Sequence, residues 1–508
     1  MNSNSQIKKG ALLSYAAIVF NIIAGFVYTP WMVSQIGKSD YGLYILVTAF
    51  LTYFVMDFGL GQTIARFITN YKVKNEIEKI NQLLGLTTRF YLFINLLIFI
   101  ILIGAYFFIE NIFLELTPVE IEKFKVVYLI AGGFSLLSFP FLPLDGVLIA
   151  YEKFVVLKLC DVISKVSIIV LMVIALLMGY KLYALVAINA LVGIVVIVIK
   201  LIVIKKSLPL RPNFKFRSKP LLKELFKFSF WISVIGIAQR LLINIAPLVL
   251  GIVSGTEAIA IFSIGVIIEG YTWTFAHALN GLFLSKVSQL NLEENNLKEI
   301  TNLMIRVGRI QLIVMGLLLI GLIALGQEFI ILWMGESFTA SYLVVVLLIT
   351  PGFISLTQEI AYTYLFVINE LKYRALLFLS GAVVSLIISF LLAPTLGALG
   401  CAIGIFTATF GFHVLGMNYI YWKKVKLNIP RFFKECFGNL LLPLILTLLF
   451  GFFLSYSFTS TNFLLFVLKA VTLVLFYMIS LWFLGLNKDE KELFTQPVLK
   501  VMNKFKRN

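Results

Sequence analysis

In the stretch "TPWMVSQIGKSDYGLYILVTAFLTYFVMDFGLGQTIARF", residues 29–67, a short polar turn separates the end of one long apolar run from the start of the next. Runs of this kind are long enough to cross a hydrocarbon layer of ~30 Å as helices. The turn includes Gly37, Lys38 and Ser39, which match the last residues of a phosphate-binding loop. Such a loop also requires a preceding strand and an earlier glycine, where this chain has Met32. We therefore interpret the turn as the start of a second membrane helix.

The same apolar character continues along the whole chain. Its 508 residues are 60% hydrophobic and only 13% charged, and the mean hydropathy is +1.00. A soluble protein of this size rarely carries so little charge. Because the apolar runs are continuous and do not alternate, helices are favoured over a β-barrel. The composition predicts an all-α integral membrane protein.

The apolar runs predict about fourteen membrane helices. Their expected ranges are 11–35, 42–67, 90–109, 124–149, 155–179, 182–204, 227–253, 257–285, 304–326, 340–368, 375–393, 397–422, 439–457 and 462–485. The first run lacks a cleavage site of the A-x-A type, so we expect it to be retained. An even number of spans places both termini on the same side of the membrane.

Positive charge selects that side, because Lys and Arg concentrate in cytoplasmic loops. The chain has 42 Lys and Arg against 25 Asp and Glu. If both termini are cytoplasmic, the cytoplasmic tails, loops and helix ends hold 35 of these cations, three lie deeper within spans, and the outer face receives only Lys38, Lys123, Lys125 and Lys181. The net charge of +17 is therefore interpreted as a topology signal, and no nucleic-acid partner is expected.

The two halves of the chain are related by an internal repeat. A shift of 217 positions relates three pairs of residues: Pro30 with Pro247, Ser39 with Thr256, and Asp40 with Glu257. Six helices, an even number, separate the members of each pair, so both halves are expected to have the same orientation in the membrane. The predicted domains are a first lobe at 1–204, a basic cytoplasmic linker at 205–226, a second lobe at 227–422, two further helices at 439–486 and a basic cytoplasmic tail at 487–508.

The pattern "IGKSDYGLY…DFGLG" within residues 29–67 resembles the amino-terminal signature of polysaccharide flippases, which include O-antigen and capsule-type transporters. These flippases share the MOP superfamily with multidrug exporters of the MATE type and with lipid II flippases. The resemblance implies two six-helix lobes, often followed by two carboxy-terminal helices. It also implies alternating-access transfer of undecaprenyl-diphosphate-linked oligosaccharide between the leaflets of a bacterial cytoplasmic membrane, with polysaccharide polymerase and glycosyltransferases as possible partners.

Polar residues inside the predicted helices are the candidates for a substrate site. A charged group within a span is costly, so it should face a cavity or a partner. The predicted substrate-binding residues are Arg240, Asn21, Asn244, Trp273, His277, Arg66 and Lys286. The predicted coupling residues are Asp57, Glu269 and Glu359. For the acids, a structural hydrogen bond or ion pair is the alternative.

Arg240 is the strongest of these candidates. It shares one face of the seventh predicted helix with Ser233, Gly236 and Asn244, since their spacings are three and four residues. Arginine binds phosphate bidentately, which suits a diphosphate; the alternative is an ion pair within the membrane. Lipid II flippases carry several cavity arginines on helices 1, 2 and 8, whereas here only Arg66 lies on any of those helices. The resemblance therefore argues against a peptidoglycan precursor as substrate.

Other functions and energy sources remain open at this point. A drug/cation antiporter would use the acids, whereas a membrane-embedded glycosyltransferase or polymerase would need larger outer loops than this chain has. A scaffold would need a protein-binding tail. We expect no catalytic residue, no cofactor, no metal site and a monomer, because the three cysteines are widely spaced and the two histidines cannot form a cluster alone. Proton coupling, sodium coupling and the membrane potential are all compatible with the sequence.

Overall fold

The computed structural model describes residues 22–53, 59–277, 283–458, 460, 462–488 and 490–492. Within these ranges the chain forms helices joined by short turns, and no strand occurs. Eleven helical stretches of the described part are long and apolar enough to span a membrane, and some of them continue across a short 3₁₀ or π-helical segment. They confirm an all-α, multi-pass membrane protein, whereas the total of about fourteen spans stays a prediction.

The first ten described helices are listed here in chain order with the labels used below. They are α1 (Ile22–Ile36), α2 (Lys38–Thr52), α3 (Leu60–Val73), α4 (Ile77–Ile112), α5 (Pro118–Ser138), α6 (Pro143–Ala150), α7 (Phe154–Leu177), α8 (Leu182–Ser207), α9 (Lys219–Val253) and α10 (Thr256–His277). A short 3₁₀ segment, Phe139–Phe141, separates α5 from α6.

The next ten helices complete the described part of the chain. They are α11 (Leu284–Leu290), α12 (Asn296–Met334), α13 (Ser341–Ile349), α14 (Gly352–Ser355), α15 (Glu359–Val367), α16 (Leu371–Leu396), α17 (Ala398–Ala408), α18 (Met417–Lys423), α19 (Ile429–Ser457) and α20 (Phe463–Ser480). Two π-helical segments, Thr409–Gly416 and Leu481–Gly485, follow α17 and α20.

The chain divides into two compact units. The first contains Met1–Ser263 and Arg374–Ala408, and the second contains Ile264–Tyr373 and Thr409–Asn508. This division rests on which parts of the backbone pack together. The predicted lobes, linker and tail rest on the repeat and on charge, and their boundaries stay predictions.

The second predicted span, 42–67, is not one continuous helix. Helix α2 ends at Thr52 and α3 begins at Leu60, while residues 54–58 lie outside the described part. The residue before α3, Gly59, has a φ of 64°, in the left-handed region. Glycine adopts this conformation without the steric cost of a Cβ atom, so it allows the chain to interrupt the helix here. Sequence analysis overlooked this break because the predicted span contains no proline and its few polar residues do not interrupt the hydropathy pattern.

Proline accounts for two further interruptions of predicted spans. The span at 124–149 is divided between α5 and α6 by a segment containing Pro140. The span at 340–368 is divided among α13, α14 and α15, and Pro351 lies at the first division. Proline has no amide hydrogen and its ring clashes with the preceding turn, so helices end or bend there.

Several helices extend beyond their predicted spans. Helix α9 begins at Lys219, within the predicted linker 205–226. The Ser218 hydroxyl accepts a hydrogen bond from the Leu221 amide, and a proline occupies the first turn, both of which favour a helix start. Hydropathy detects only the apolar part of such a helix, which explains the late predicted start.

Two glycines of the first unit permit unusually close helix contacts. A Cβ atom at Gly42 would lie 2.1 Å from the carbonyl oxygen of Thr256, and one at Gly146 would lie 2.4 Å from the carbonyl oxygen of Gly61. No larger side chain fits at such distances unless the backbone moves. Small residues allow helix backbones to approach closely in membranes. Gly42 of "DYGLY" therefore has a packing role, and Gly146 allows the backbone at Gly61 of "DFGLG" to lie close to α6.

In the second unit, a buried arginine connects α12 to the end of the described chain. The Arg309 guanidinium donates two hydrogen bonds to the Glu490 carboxylate, at 2.6 and 2.8 Å. It also donates to the carbonyl oxygens of Glu435 and Gly485, at 2.9 and 3.0 Å. The Asn487 amide donates to the same carboxylate. Bidentate pairing and backbone contacts together satisfy a charge that would otherwise be costly to bury.

A lysine makes a second connection from α12, to α20. The Lys469 ammonium lies 2.7 and 2.8 Å from the two carboxylate oxygens of Glu328, and the Ser455 hydroxyl also donates to that carboxylate. Between the two ion pairs, the Tyr477 hydroxyl donates to the carbonyl oxygen of Ile313. The carboxy-terminal helices of this unit are thus held to α12 by polar contacts at several levels.

Candidate functional site

The first turns of α2, α5 and α10 meet around one carboxylate of the first unit. The hydroxyl oxygens of Ser39 and Thr256 lie 2.5 and 2.7 Å from the same oxygen of Glu120 and 3.2 Å from each other. The other oxygen of Glu120 accepts from the Thr117 amide in a capping box. We call Ser39, Glu120 and Thr256 the outer junction, after the side of the membrane on which the predicted topology places them. Ser39 and Thr256 are a pair that the predicted repeat relates, and here their hydroxyl oxygens are in contact.

Two ion pairs flank the outer junction. Lys123 lies 2.6 Å from the carboxylate of Asp40, which is 9% exposed. Lys38 lies 3.3 Å from Glu257, whose side chain is 71% exposed, so this second pair contributes little. Both acids lie in the first turn of their helices, where the positive end of the helix dipole favours negative charge. Charge and hydrogen bonding therefore both hold these helix starts together.

Sequence analysis identified the equivalence of Ser39 and Thr256 but missed Glu120. A signal for Glu120 was available, because Thr117 followed three residues later by Glu120 is the capping-box pattern. That pattern predicts a helix start and its acid. It does not predict that three helix starts converge on the acid, since convergence depends on packing between distant segments.

Arg240 lies on α9 beside the end of α2. Its Nη1 donates a hydrogen bond to the carbonyl oxygen of Thr52, at 2.6 Å. In return, the Tyr53 hydroxyl donates to the carbonyl oxygen of Arg240, at 3.2 Å. The last carbonyls of a helix lack helical partners and carry the negative end of the dipole, so a guanidinium is well placed there. This capping contact was not predicted, and it engages one of the five N–H donors of the side chain.

The polar face of α9 around Arg240 is partly accessible. Ser233, Gly236, Arg240 and Asn244 are each intermediate in exposure. A Cβ atom at Gly236 would meet no described atom within 4 Å. The Ser233 hydroxyl donates to the carbonyl oxygen of Ser229. The structure thus places the predicted residues on one partly open face of α9.

In the second unit, the indole of Trp273 hydrogen-bonds the carboxylate of Glu269, one turn earlier on α10. The same indole packs against Met315 and Leu356. Sequence analysis placed both residues on one helix face, and the structure brings them into contact. The arrangement holds a carboxyl group at a fixed position beside an aromatic ring.

The remaining predicted site residues lie apart from these groups or beyond the described residues. Glu359 begins α15 and is 8% exposed. Arg66 on α3 and Lys286 on α11 are exposed. Asn21 and Asp57 lie outside the described residues, and so does the side chain of His277. Within the described ranges, no three His, Cys, Asp or Glu side chains form a group that could hold a metal ion.

Comparison with known proteins connects this fold to a family. A family model described as "Polysaccharide biosynthesis protein" matches residues 7–270, more than half of the chain. The chain is also 24% identical over 356 residues to "Uncharacterized membrane protein EpsK" of Bacillus subtilis (strain 168), covering 66% of this chain and 69% of that one.

Solved structures with the same fold include two transporters. "Lipid II flippase MurJ, inward closed conformation" matches with a TM-score of 0.72 and 16% identity, covering 96% of this chain and 99% of that one. A MATE-family multidrug resistance transporter of the MOP superfamily, in an inward-facing conformation, matches with a TM-score of 0.64 and 14% identity, covering 84% and 99%. The fold is therefore MurJ/MATE-like, and with the match over residues 7–270 the chain belongs to the polysaccharide biosynthesis protein family.

Proposed function

We propose that the protein is a flippase that transfers undecaprenyl-diphosphate-linked oligosaccharide from the inner to the outer leaflet of a bacterial cytoplasmic membrane. The observation that carries this proposal is the family match over residues 7–270, which includes the outer junction and the open face of α9. On this proposal both termini are cytoplasmic and the chain performs no covalent chemistry.

The substrate of such a flippase has a long apolar tail and a polar, doubly phosphorylated headgroup. The tail is compatible with hydrocarbon, whereas the headgroup needs polar partners throughout its passage. Arg240 supplies a guanidinium for phosphate, and Asn244 supplies an amide one turn further along the same helix for sugar hydroxyls. The partial exposure of both side chains supports this assignment.

Release of the headgroup to the outer leaflet requires an opening on that side. On the proposed topology, the outer junction lies at the outer face, where its hydrogen bonds hold α10 to α2 and α5. A neutral hydrogen bond contributes about 0.5–1.5 kcal/mol to the stability of the closed junction, and one with a charged group contributes about 1.5–3 kcal/mol. These energies are small enough for the junction to open and close reversibly. We propose that the outer junction separates once in each transport cycle.

The decisive experiment follows the substrate across a bilayer. Purified protein in proteoliposomes with a labelled lipid-linked oligosaccharide should transfer it between leaflets without changing its mass. An elongated or transferred product would instead indicate a glycosyltransferase or polymerase. Exchange of cationic drugs without transfer of the lipid-linked sugar would favour a MATE-type antiporter, the second candidate that the fold and the acids Glu269 and Glu359 support.

We further propose that Glu269 couples transfer to an ion gradient, because the Trp273 indole holds its carboxyl on α10, which the sequence predicts to be a membrane helix. Replacing Glu269 by glutamine keeps the shape but removes the titratable group. We expect transfer to continue while its acceleration by an imposed proton or sodium gradient is lost. The exposed Glu294 serves as the control, and Glu294→Gln should respond to the gradients as the native protein does. Retention of gradient dependence by Glu269→Gln would exclude this role.

A further inference from the structure

Residues 208–217, which we call the strap, connect α8 to α9 and are fixed along one face of α4. The side-chain oxygen of Asn81 accepts from the Arg211 amide, and its carbonyl oxygen accepts from the Asn213 amide, both at 2.8 Å. Two turns later, Arg89 donates to the carbonyl oxygens of Phe214 and Phe216, at 2.9 and 3.3 Å. These contacts use backbone groups of the strap, so they set its path while its side chains stay available.

The fit between strap and helix depends on a glycine between the two anchoring residues. Asn81, Gly85 and Arg89 follow one another at intervals of four residues, which places them on one face of α4. A Cβ atom at Gly85 would lie 1.9 Å from the carbonyl oxygen of Asn213. The strap backbone therefore lies directly against the helix at this point. The Asn213 side chain accepts from the Lys215 amide, which tightens the turn that follows.

The side chains that the strap presents are cationic and aromatic. Arg211, Lys215 and Arg217 are all exposed, and the Phe214 ring between them is 53% exposed. The neighbouring helix ends add the exposed cations Lys205, Lys206, Lys219, Lys223 and Lys227. Residues 205–227, all of which the structure describes, contain one acidic residue, Glu224. The result is a dense positive surface with an apolar ring at its centre.

The position of the strap along the chain places it next to the membrane. Helix α8, which precedes it, and helix α9, which follows it, are both long and apolar enough to span a bilayer. The apolar span of α9 is Ser229–Val253, so the strap begins directly after one span and is separated from the next by residues 218–228, which keeps it near the headgroup layer. Clusters of Lys and Arg adjacent to a membrane helix attract anionic lipids by about 1 kcal/mol per cation near the surface.

We propose that the strap is a docking surface for the headgroups of anionic phospholipids. Its cations pair with the phosphates, and the Phe214 ring enters the interface between headgroups and acyl chains. Because α4 fixes the backbone beforehand, little conformational entropy is lost on binding. The exposed phenyl ring and the two flanking membrane helices favour lipid over an acidic soluble protein, which would need no apolar group at the centre.

Native mass spectrometry of the full-length protein from micelles with equal phosphatidylglycerol and phosphatidylcholine tests this proposal. The native protein should retain phosphatidylglycerol in excess. The triple variant Arg211→Gln, Lys215→Gln, Arg217→Gln should lower the ratio of bound phosphatidylglycerol to bound phosphatidylcholine at least about threefold. Raising the salt concentration to about 0.5 M should lower the ratio of the native protein as well, because salt screens exposed charges.

The matched control changes the same number of exposed cations elsewhere. The triple variant Lys423→Gln, Lys424→Gln, Lys426→Gln removes the same net charge from another loop between two membrane spans, and it should lower the lipid ratio clearly less than the strap variant, because fewer exposed cations flank this loop. Asn81→Ala, which weakens the attachment without changing charge, should give an intermediate ratio. An unchanged ratio in the strap variant, or an equal fall in the control, would overturn the proposal. If the strap variant lost binding of an acidic protein while its lipid ratio stayed unchanged, the strap would be a protein-binding surface and the proposal would be wrong.

Discussion

Replacing Arg240 by alanine is expected to lower leaflet transfer at least about tenfold, because a hydrogen bond to a charged group contributes about 1.5–3 kcal/mol. The amount of folded protein in the membrane should stay close to native. The loss has two physical sources, since the guanidinium is proposed to bind the diphosphate and is observed to cap α2 through the Thr52 carbonyl. Transfer of labelled lipid-linked oligosaccharide in proteoliposomes measures the effect.

Two further variants test the local helix packing and the bidentate geometry of the guanidinium. Tyr53→Phe removes the hydrogen bond to the Arg240 carbonyl without touching the guanidinium, so transfer should be within about twofold of native. Arg240→Lys keeps the charge but loses bidentate geometry, so transfer should be intermediate. If Tyr53→Phe were as defective as Arg240→Ala, the arginine would act through the local helix packing, and its proposed contact with phosphate would be wrong.

The largest effect on stability is expected from Arg309→Ala. This change leaves the Glu490 carboxylate buried without its partner and removes two further bonds to backbone carbonyls. Breaking a buried ion pair on one side costs about 3–5 kcal/mol. Thermal unfolding of the purified protein in detergent should therefore show a clear fall in Tm.

An exposed ion pair of the same unit provides the control for this prediction. Arg431 pairs with Glu435 one turn along α19, and both side chains are partly exposed, at 35% and 45%. Arg431→Ala should change stability by no more than about 0.5 kcal/mol. Replacing Arg309 and Glu490 together by apolar residues should recover much of the loss, since no charge is then left unpaired. Equal Tm values for Arg309→Ala and Arg431→Ala would contradict this account of the packing.

Much of the architecture follows from the sequence because hydropathy and charge act locally. The apolar runs gave the membrane class and located most spans, and the spacing of Glu269 and Trp273 predicted one shared helix face. The break before α3 was missed, because a single glycine at 59 changes the backbone direction without changing hydropathy. Hydropathy likewise could not show that α9 begins at Lys219.

The polar contacts between distant segments were the least accessible to sequence analysis. Arg309 and Glu490 are 181 positions apart, and Arg240 contacts Thr52 across 188 positions. Each charged residue in a span was recognisable as needing a partner, but the sequence offered several partners for each. The repeat came closer, since it paired Ser39 with Thr256. It could not indicate that they touch, because a repeat shows which residues correspond but not how far apart they lie.

The most direct test of the proposed cycle closes the outer junction covalently. Ser39 and Thr256 have hydroxyl oxygens 3.2 Å apart, and the native cysteines Cys160, Cys401 and Cys436 are buried and free. In the double variant Ser39→Cys, Thr256→Cys, oxidation should form a disulfide and stop transfer of the lipid-linked oligosaccharide. Reduction should then restore it. Transfer at the native rate by the fully oxidised variant would show that this junction does not open, and would contradict the proposed alternating-access cycle.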